Sequence, residues 1–164
     1  MTQNVKAVPE GFHTLTPSFA VRDAKRAIEF YKRAFGAVEL TKPHEGPGGK
    51  IIHANLRIGD SNLMLADEFP EYGSHSPQSL NGTPVTIHIY TENPDAMFEQ
   101  AVSAGAKVTM PMGDQFWGDR YGQIQDPFGH KWSIAARKEN LTEEEMTRRG
   151  QAAMAKMAKK AKGA

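Results

Sequence analysis

The chain has 164 residues, 39% of them hydrophobic, and a net charge of +1, which suits one domain or two small fused modules with a shared core. The charge gives no sign of nucleic-acid binding, and the absence of cysteine excludes disulfides, thiolate metal sites and cysteine nucleophiles. No stretch is apolar enough to span a bilayer and the N-terminal segment has no apolar signal core, so we expect a soluble cytoplasmic protein with no membrane or nucleic-acid partner.

Two segments of similar pattern indicate an internal repeat. Residues 22–37 and 91–106 both begin at or near an acidic residue, continue with a helical pattern and end in Gly-Ala. In the first segment Asp23 is placed to cap the helix, and Gly36 is placed to end it with a positive φ. In the second segment Asn93 can cap the helix, and a first-turn proline follows it. The sequence therefore predicts two equivalent helices.

Strand-like runs precede and follow each predicted helix, which gives the order β-α-β-β-β twice. Gly-Asp within residues 58–61 and Asp-Pro-Phe-Gly at 126–129 predict tight turns between strands. The prediction is an α+β fold of two βαβββ modules. The expected boundaries are module one at about 14–68, a linker at 69–83, module two at about 84–137, and a helical tail at 138–164.

The predicted tail is rich in alanine, methionine and lysine, and its second half is strongly basic. Contact with nucleic acid or an acidic membrane stays open for this segment. A solvated helix is favoured, because no aromatic residues alternate with the charges.

Two segments resemble the PhnB-like branch of the vicinal oxygen chelate superfamily, which contains glyoxalases, bleomycin-resistance proteins and extradiol dioxygenases. They are PSFAVRDAKRAIEFYKRAFG (17–36) and FWGDRYGQIQDPFGHKWSIA (116–135). The resemblance covers about residues 12–137, which we expect to form a single domain. It implies that the two modules form curved mixed sheets paired around a cavity, and it favours a homodimer.

In metal-dependent relatives such as glyoxalase I, His or Glu side chains on the first and last strands of each module hold a metal. The resemblance places those positions here at Thr16, Thr86, Ser133 and either Leu65 or Met64. Hydroxyl and aliphatic side chains do not supply the charged or imidazole ligands that a divalent metal needs. We therefore predict no metal ligands and no cofactor.

The chain has six histidines, and His88 is the one with the clearest functional context. Strand alternation places His88 on the same face as Thr86 and Tyr90, toward the expected cavity. It can act as a general base or as a hydrogen-bond donor to a ligand, or it can simply satisfy polar neighbours. No spacing supports a metal site formed by His53 and His88. The histidines that fall in predicted loops are His13, His44 and His75.

The segment 115–123 combines aromatic residues, arginine and glutamine between glycines. Trp117, Tyr121 and Arg120 are typical of ligand contacts, because aromatic rings stack and guanidinium binds anions or carbonyls. The alternative is that Trp117 and Tyr121 close a sheet edge or dimer interface and that Arg120 pairs with Asp119 or Asp126. Trp132 is expected in the core.

Other catalytic signatures are missing, including dinucleotide-binding, P-loop and nucleophile-elbow motifs. The acidic pair Asp67-Glu68 is interpreted as a solvated strand end.

The favoured hypothesis is a metal-free protein of the glyoxalase/bleomycin-resistance type that binds a small organic molecule. One alternative is a lyase or dioxygenase of the superfamily with an unrecognised divalent metal site. Another is a metal-free enzyme with His88 as general base. The predicted ligand-binding residues are Thr16, Thr86, His88, Trp117, Arg120, Tyr121, Gln123 and Ser133.

Overall fold

The computed structural model describes residues 5–162, with side chains up to residue 159. The last two residues of the predicted tail lie outside the described residues. None of the helices described is long and apolar enough to cross a membrane.

The first module contains one long helix and five strands. Its elements are β1 (Ser18–Val21), α1 (Ala24–Phe35), β2 (Val38–Glu39), β3 (His44–Glu45), β4 (Ile51–Ile58) and β5 (Ser61–Asp67). The predicted linker is not a simple coil, since it contains a 3-10 turn at Pro70–Tyr72 and the short helix α2 (Pro77–Leu80).

The second module has one helix and four strands, with one strand where module one has both β2 and β3, and the C-terminal helix follows it. Its elements are β6 (Thr86–Tyr90), α3 (Pro94–Ala104), β7 (Lys107–Asp114), β8 (Asp119–Gln125) and β9 (Lys131–Arg137), and α4 (Glu143–Lys162) follows.

The two sheets have the same topology. The strand order is β1-β5-β4-β2 in the first sheet, with β3 also paired to β4, and β6-β9-β8-β7 in the second. In each sheet the first and last strands of the module pair in parallel, and the other neighbours are antiparallel. The predicted α+β fold with a doubled module and a C-terminal helix is therefore confirmed. The exact domain boundaries stay a prediction.

The two equivalent helices begin differently. The Asp23 carboxylate accepts a hydrogen bond from the Arg26 backbone N–H at 3.1 Å, and Gly36 ends α1 with a φ of 65°, as predicted. Asn93 occupies the cap position of α3, but its side chain makes no capping bond. Pro94, which follows it, has no N–H that needs a partner.

The acidic pair at the end of β5 is not a solvated strand end, so that interpretation was wrong. Asp67 is only 6% exposed. Its carboxylate accepts hydrogen bonds from the backbone N–H of Ala24 at 2.8 Å and of Ile51 at 2.7 Å. It thereby joins the beginning of α1 to the beginning of β4. The charge lies at a helix N-terminus, where a negative group is stabilised.

A buried carboxylate also links the two modules. Asp126 accepts hydrogen bonds from the Tyr31 hydroxyl at 2.7 Å and the Trp132 indole N–H at 2.9 Å. It also accepts from the backbone N–H groups of Phe128 and His130, both at 2.9 Å. Burial, and then the nearby Asp126 charge, raise the pKa of Tyr31 well above its ordinary value. Trp132 is 1% exposed, which confirms its predicted place in the core.

Candidate functional site

The face of each sheet that turns away from α1 and α3 is called here the open face. In module two, Ile87, Ile124 and Ile134 point into the core with α3, so the alternate residues form the open face. Those residues are Thr86, His88 and Tyr90 on β6, Asp119, Tyr121, Gln123 and Gln125 on β8, and Lys131, Ser133, Ala135 and Arg137 on β9. A cleft of about 430 Å³ lies beside this face, between residues 58–63 of module one and β6.

His88 and Ser133 form a direct pair at the centre of this open face. They are register partners on the parallel strands β6 and β9, and Nδ1 of His88 lies 2.7 Å from Oγ of Ser133. Ser133 is only 2% exposed, so its hydroxyl depends on this contact. The contact fixes the orientation of the imidazole and leaves its Nε2 available to a bound molecule.

The environment of His88 favours a neutral ring. Partial removal from water lowers the pKa of His88 below its ordinary value of 6.5, and the charge of Asp119 opposes this effect. The residue as a whole is still exposed to solvent. At neutral pH His88 therefore offers one N–H donor and one nitrogen acceptor, and the tautomer decides which of them faces a ligand.

Aromatic rings extend from His88 in both directions along the open face. The Tyr90 ring meets the imidazole edge-on at 4.4 Å between centroids, and the Tyr121 ring stacks at 6.0 Å. Trp117, in the turn before β8, contacts Tyr121 edge-on at 5.4 Å. Gln123 donates a hydrogen bond from its amide to the Tyr121 hydroxyl at 2.6 Å. This row gives flat apolar surface beside fixed polar groups.

A buried carboxylate that the sequence prediction missed supports one end of the row. Asp119 is 3% exposed and accepts a hydrogen bond from the Tyr90 hydroxyl at 3.1 Å and another from the Arg137 guanidinium. Its spacing of two residues from Tyr121 could have identified it, since alternate strand residues share a face.

The structure places several predicted residues differently. Arg120 lies on the opposite side of β8, where its guanidinium binds Asp95 at 2.7 and 2.5 Å and Asp114 at 3.2 Å. Arg120 therefore does not belong to the open face with His88, and its partners are neither of the two aspartates that were considered. Thr86 lies on the open face at the exposed start of β6. Thr16 precedes β1 and lies outside this cluster.

The equivalent positions of module one carry other side chains. Ser18 on β1 pairs in register with Met64 on β5, as His88 pairs with Ser133. Leu65 is 1% exposed and lies in the core, so Met64 is the open-face residue of the two that were predicted.

The comparisons with known proteins agree with this doubled fold. Residues 12–134 match the Glyoxalase/Bleomycin resistance protein/Dioxygenase superfamily. The chain belongs to this superfamily. The Mycobacterium bovis protein Mb0911c is 49% identical over 134 residues, which cover 79% of this chain and 88% of that protein. The Arabidopsis thaliana protein At5g48480 is 30% identical over 131 residues, which cover 72% of this chain and 74% of that protein.

Two solved structures share the fold. TioX from Micromonospora sp. ML1 is similar with a TM-score of 0.62 and 25% identity, over 76% of this chain and 98% of that one. The PhnB protein from Bacillus cereus has a TM-score of 0.55 and 17% identity, over 76% of this chain and 99% of that one, and this likeness concerns the fold alone.

The residues at the superfamily's metal-ligand positions do not fit a divalent metal. The positions that the resemblance indicated are Thr16, Thr86, Ser133 and Met64, and the strand register adds Ser18 and His88 as the first-strand partners of Met64 and Ser133. Together they offer one imidazole, hydroxyls and a thioether, which is not the ligand set that a divalent metal needs. Within residues 5–162, no group of three or more His, Asp or Glu side chains is placed to hold a metal.

Proposed function

We propose that this member of the glyoxalase superfamily binds a small, planar, polar organic molecule without a metal at the superfamily's ligand positions. The ligand would lie on the open face of module two, against the His88–Ser133 pair. The observation that carries the proposal is this pair, in which a neutral imidazole is held by a buried hydroxyl on a solvent-facing surface.

The chemistry of the neighbouring residues supports this class of ligand. Tyr121 and Trp117 offer ring surfaces for stacking, and Gln123 and His88 offer hydrogen bonds in fixed directions. Arg120 does not contribute a free cation, because two carboxylates bind it. The face therefore suits a ligand with ring systems and hydrogen-bonding groups better than a multiply charged anion.

We also propose that the protein is a homodimer, because a second copy would cover the open face and turn it into a closed cavity. Tyr90 on β6 is 58% exposed, and Val85, just before β6, is 62% exposed. Exposed large hydrophobic side chains such as these are often covered by a partner. Light scattering on the purified protein tests this, and a monomer at micromolar concentration would contradict it. A cytoplasmic location also stays a prediction.

Ligand binding is tested with protein treated with EDTA and screened by thermal shift against a library of planar, polar aromatic compounds. Hits should bind without added metal, and His88→Ala should weaken them about tenfold or more, since a fixed hydrogen bond is lost. Arg120→Ala is the matched control, because Arg120 lies on the opposite face of β8, and this variant should bind the same compounds as the wild type does. Hits that bind His88→Ala unchanged would refute the proposed site.

The first alternative, an enzyme with a divalent metal, predicts that ligand binding is lost with EDTA and restored by Zn²⁺, Ni²⁺, Mn²⁺ or Fe²⁺. The second alternative, a metal-free enzyme, has some support from the neutral imidazole. In the tautomer where Nδ1–H donates to Ser133, Nε2 could accept a proton from a substrate. With a substrate in hand, this alternative predicts that His88→Ala abolishes turnover and leaves part of the binding intact.

A further inference from the structure

We propose that His44 and His53 form a binding site for a divalent transition metal on the open face of module one. The two residues are register partners on the antiparallel strands β3 and β4, and their ring centroids lie 6.1 Å apart. Among the described residues, the histidine rings that take part in hydrogen bonds are those of His88 and His130. The imidazole nitrogens of His44 and His53 are therefore free to bind a metal.

Strand alternation from the core residue Ala54 places His53 on this face, and a β-bulge lies next to it at Ile52. His44 pairs with His53, but the next residue of β3, Glu45, pairs with Ile51, so β4 has one extra residue at this point. Ile51 and Ala54 are each 1% exposed and lie in the core. The two residues between them must both point away from the core, and Ile52 is accordingly 50% exposed. A regular strand would turn one of the two inward.

The backbone around the pair is held from the other side of the sheet. Glu45 forms an ion pair with Lys25 of α1 at 3.0 Å, and the Gly46 N–H donates to the Lys50 carbonyl at 2.8 Å. These contacts close the β3–β4 turn and keep the two histidines at cross-strand distance. A metal would then organise two side chains on a formed backbone, which reduces the entropy cost of binding.

The separation of the rings suits a shared metal ion. Imidazole nitrogens bind Zn²⁺ at about 2.0 to 2.1 Å, which places the centroids of two rings on one ion roughly 5 to 6 Å apart. His44 is exposed, so its ring can turn to close the remaining difference from 6.1 Å. The other coordination positions stay open to water or to an oxygen atom of a bound molecule.

This site is separate from the superfamily's ligand positions. Those positions lie on the first and last strands, whereas His44 and His53 lie on β3 and β4. From the sequence we predicted no metal ligands and placed His44 in a loop, whereas the structure places His44 on β3 opposite His53. Two imidazoles favour borderline metals in the order Cu²⁺ above Ni²⁺ and Zn²⁺, and disfavour Mg²⁺ and Ca²⁺.

The experiment is a calorimetric titration of untagged, EDTA-treated and dialysed protein with Cu²⁺, Ni²⁺ and Zn²⁺. We expect about one ion per chain, with Cu²⁺ bound most tightly. His44→Ala and His53→Ala should each weaken binding about tenfold or more, because each leaves a single imidazole. His75→Ala, a change at another exposed loop histidine, is the matched control and should bind as the wild type does. Circular dichroism checks that each variant is folded, and His44→Ala alone carries the test if His53→Ala unfolds.

Unchanged binding by His44→Ala, or an equal loss in His75→Ala, would overturn the inference. A loss in His88→Ala with normal binding by His44→Ala would also overturn it, because the metal would then lie at the His88–Ser133 pair of module two. The inference does not rest on the proposed function. A ligand that binds with EDTA present supports the proposed function whatever the metal titration gives.

Discussion

The two modules share a strand order but carry different chemistry on their open faces. In module one, the residues paired across the central strands are Ser18, Met64 and Asn55. In module two, the residues at the same places are His88, Ser133 and Gln123. Gln123 donates a hydrogen bond to Tyr121, whereas Oδ1 of Asn55 is buried without a partner among the described residues. The shared topology therefore determines where side chains meet, and each module's own residues determine what they can bind.

The largest expected effect concerns the turn before the last strand of each module. Asp126→Ala should lower the free energy of unfolding by about 3 kcal/mol or more, because four donors, including the buried Tyr31 hydroxyl, lose their acceptor. Asp60→Ala is the matched change in module one, where Asp60 is exposed and accepts only from Ser61 at 2.9 Å. It should cost less than about 0.5 kcal/mol. Urea unfolding measures both, and equal costs would contradict the assigned difference between the turns.

The next effect is a loss of folding stability at low pH, which we expect from Glu68 at the end of β5 in module one. The Ser79 hydroxyl, then the Ser76 backbone N–H and Arg22, lower the pKa of Glu68 from 4.5 to about 2, against an opposing effect of burial. The pKa is depressed in the folded state, so the stabilisation is complete above the unfolded pKa and is lost as pH falls from 4.5 toward 2.

We expect Glu68→Gln to remove about 1 to 2 kcal/mol of stability at pH 7 and almost none at pH 2. Urea unfolding at several pH values measures this, with Glu71→Gln on the exposed 3-10 turn as control. A constant difference between wild type and variant over this pH range would contradict the assignment.

A smaller difference in stability is expected between variants of the equivalent residues Asn55 and Gln123. Asn55→Leu should be neutral or stabilise the fold by up to about 1 kcal/mol, because it removes a buried acceptor that has no partner. Gln123→Leu should cost about 0.5 to 1 kcal/mol, because the Tyr121 hydroxyl loses its donor. Thermal unfolding compares the two variants, and a larger loss for Asn55→Leu would show that Asn55 has a partner in solution.

The smallest effect is a difference in titration. NMR should show that His88 gains its proton below its ordinary pKa of 6.5, as partial burial predicts. Ser18→His places an imidazole at the equivalent position of module one, opposite Met64 and without a serine hydroxyl. That imidazole should titrate closer to the ordinary value. A pKa of His88 above that of the new histidine would mean that the charge of Asp119 outweighs burial.

The amino-acid sequence alone determined the doubled βαβββ order, the ends of α1 and the core position of Trp132. These features depend on local patterns, since periodicity, a capping aspartate and a glycine with positive φ act over a few residues. Strand alternation also placed Thr86, His88 and Tyr90 on one face correctly.

Only the tertiary structure decided which side chains meet across strands. Arg120 lies on the helix side of β8, where Asp95 of α3 and Asp114 bind its guanidinium, and Asp119 is a buried acceptor for Tyr90 and Arg137. Ile52 faces outward beside His53 because of a bulge that no local pattern shows. A strand's period assigns a face, but register, bulges and ion pairs come from segments distant in sequence, and these determine what each face can bind.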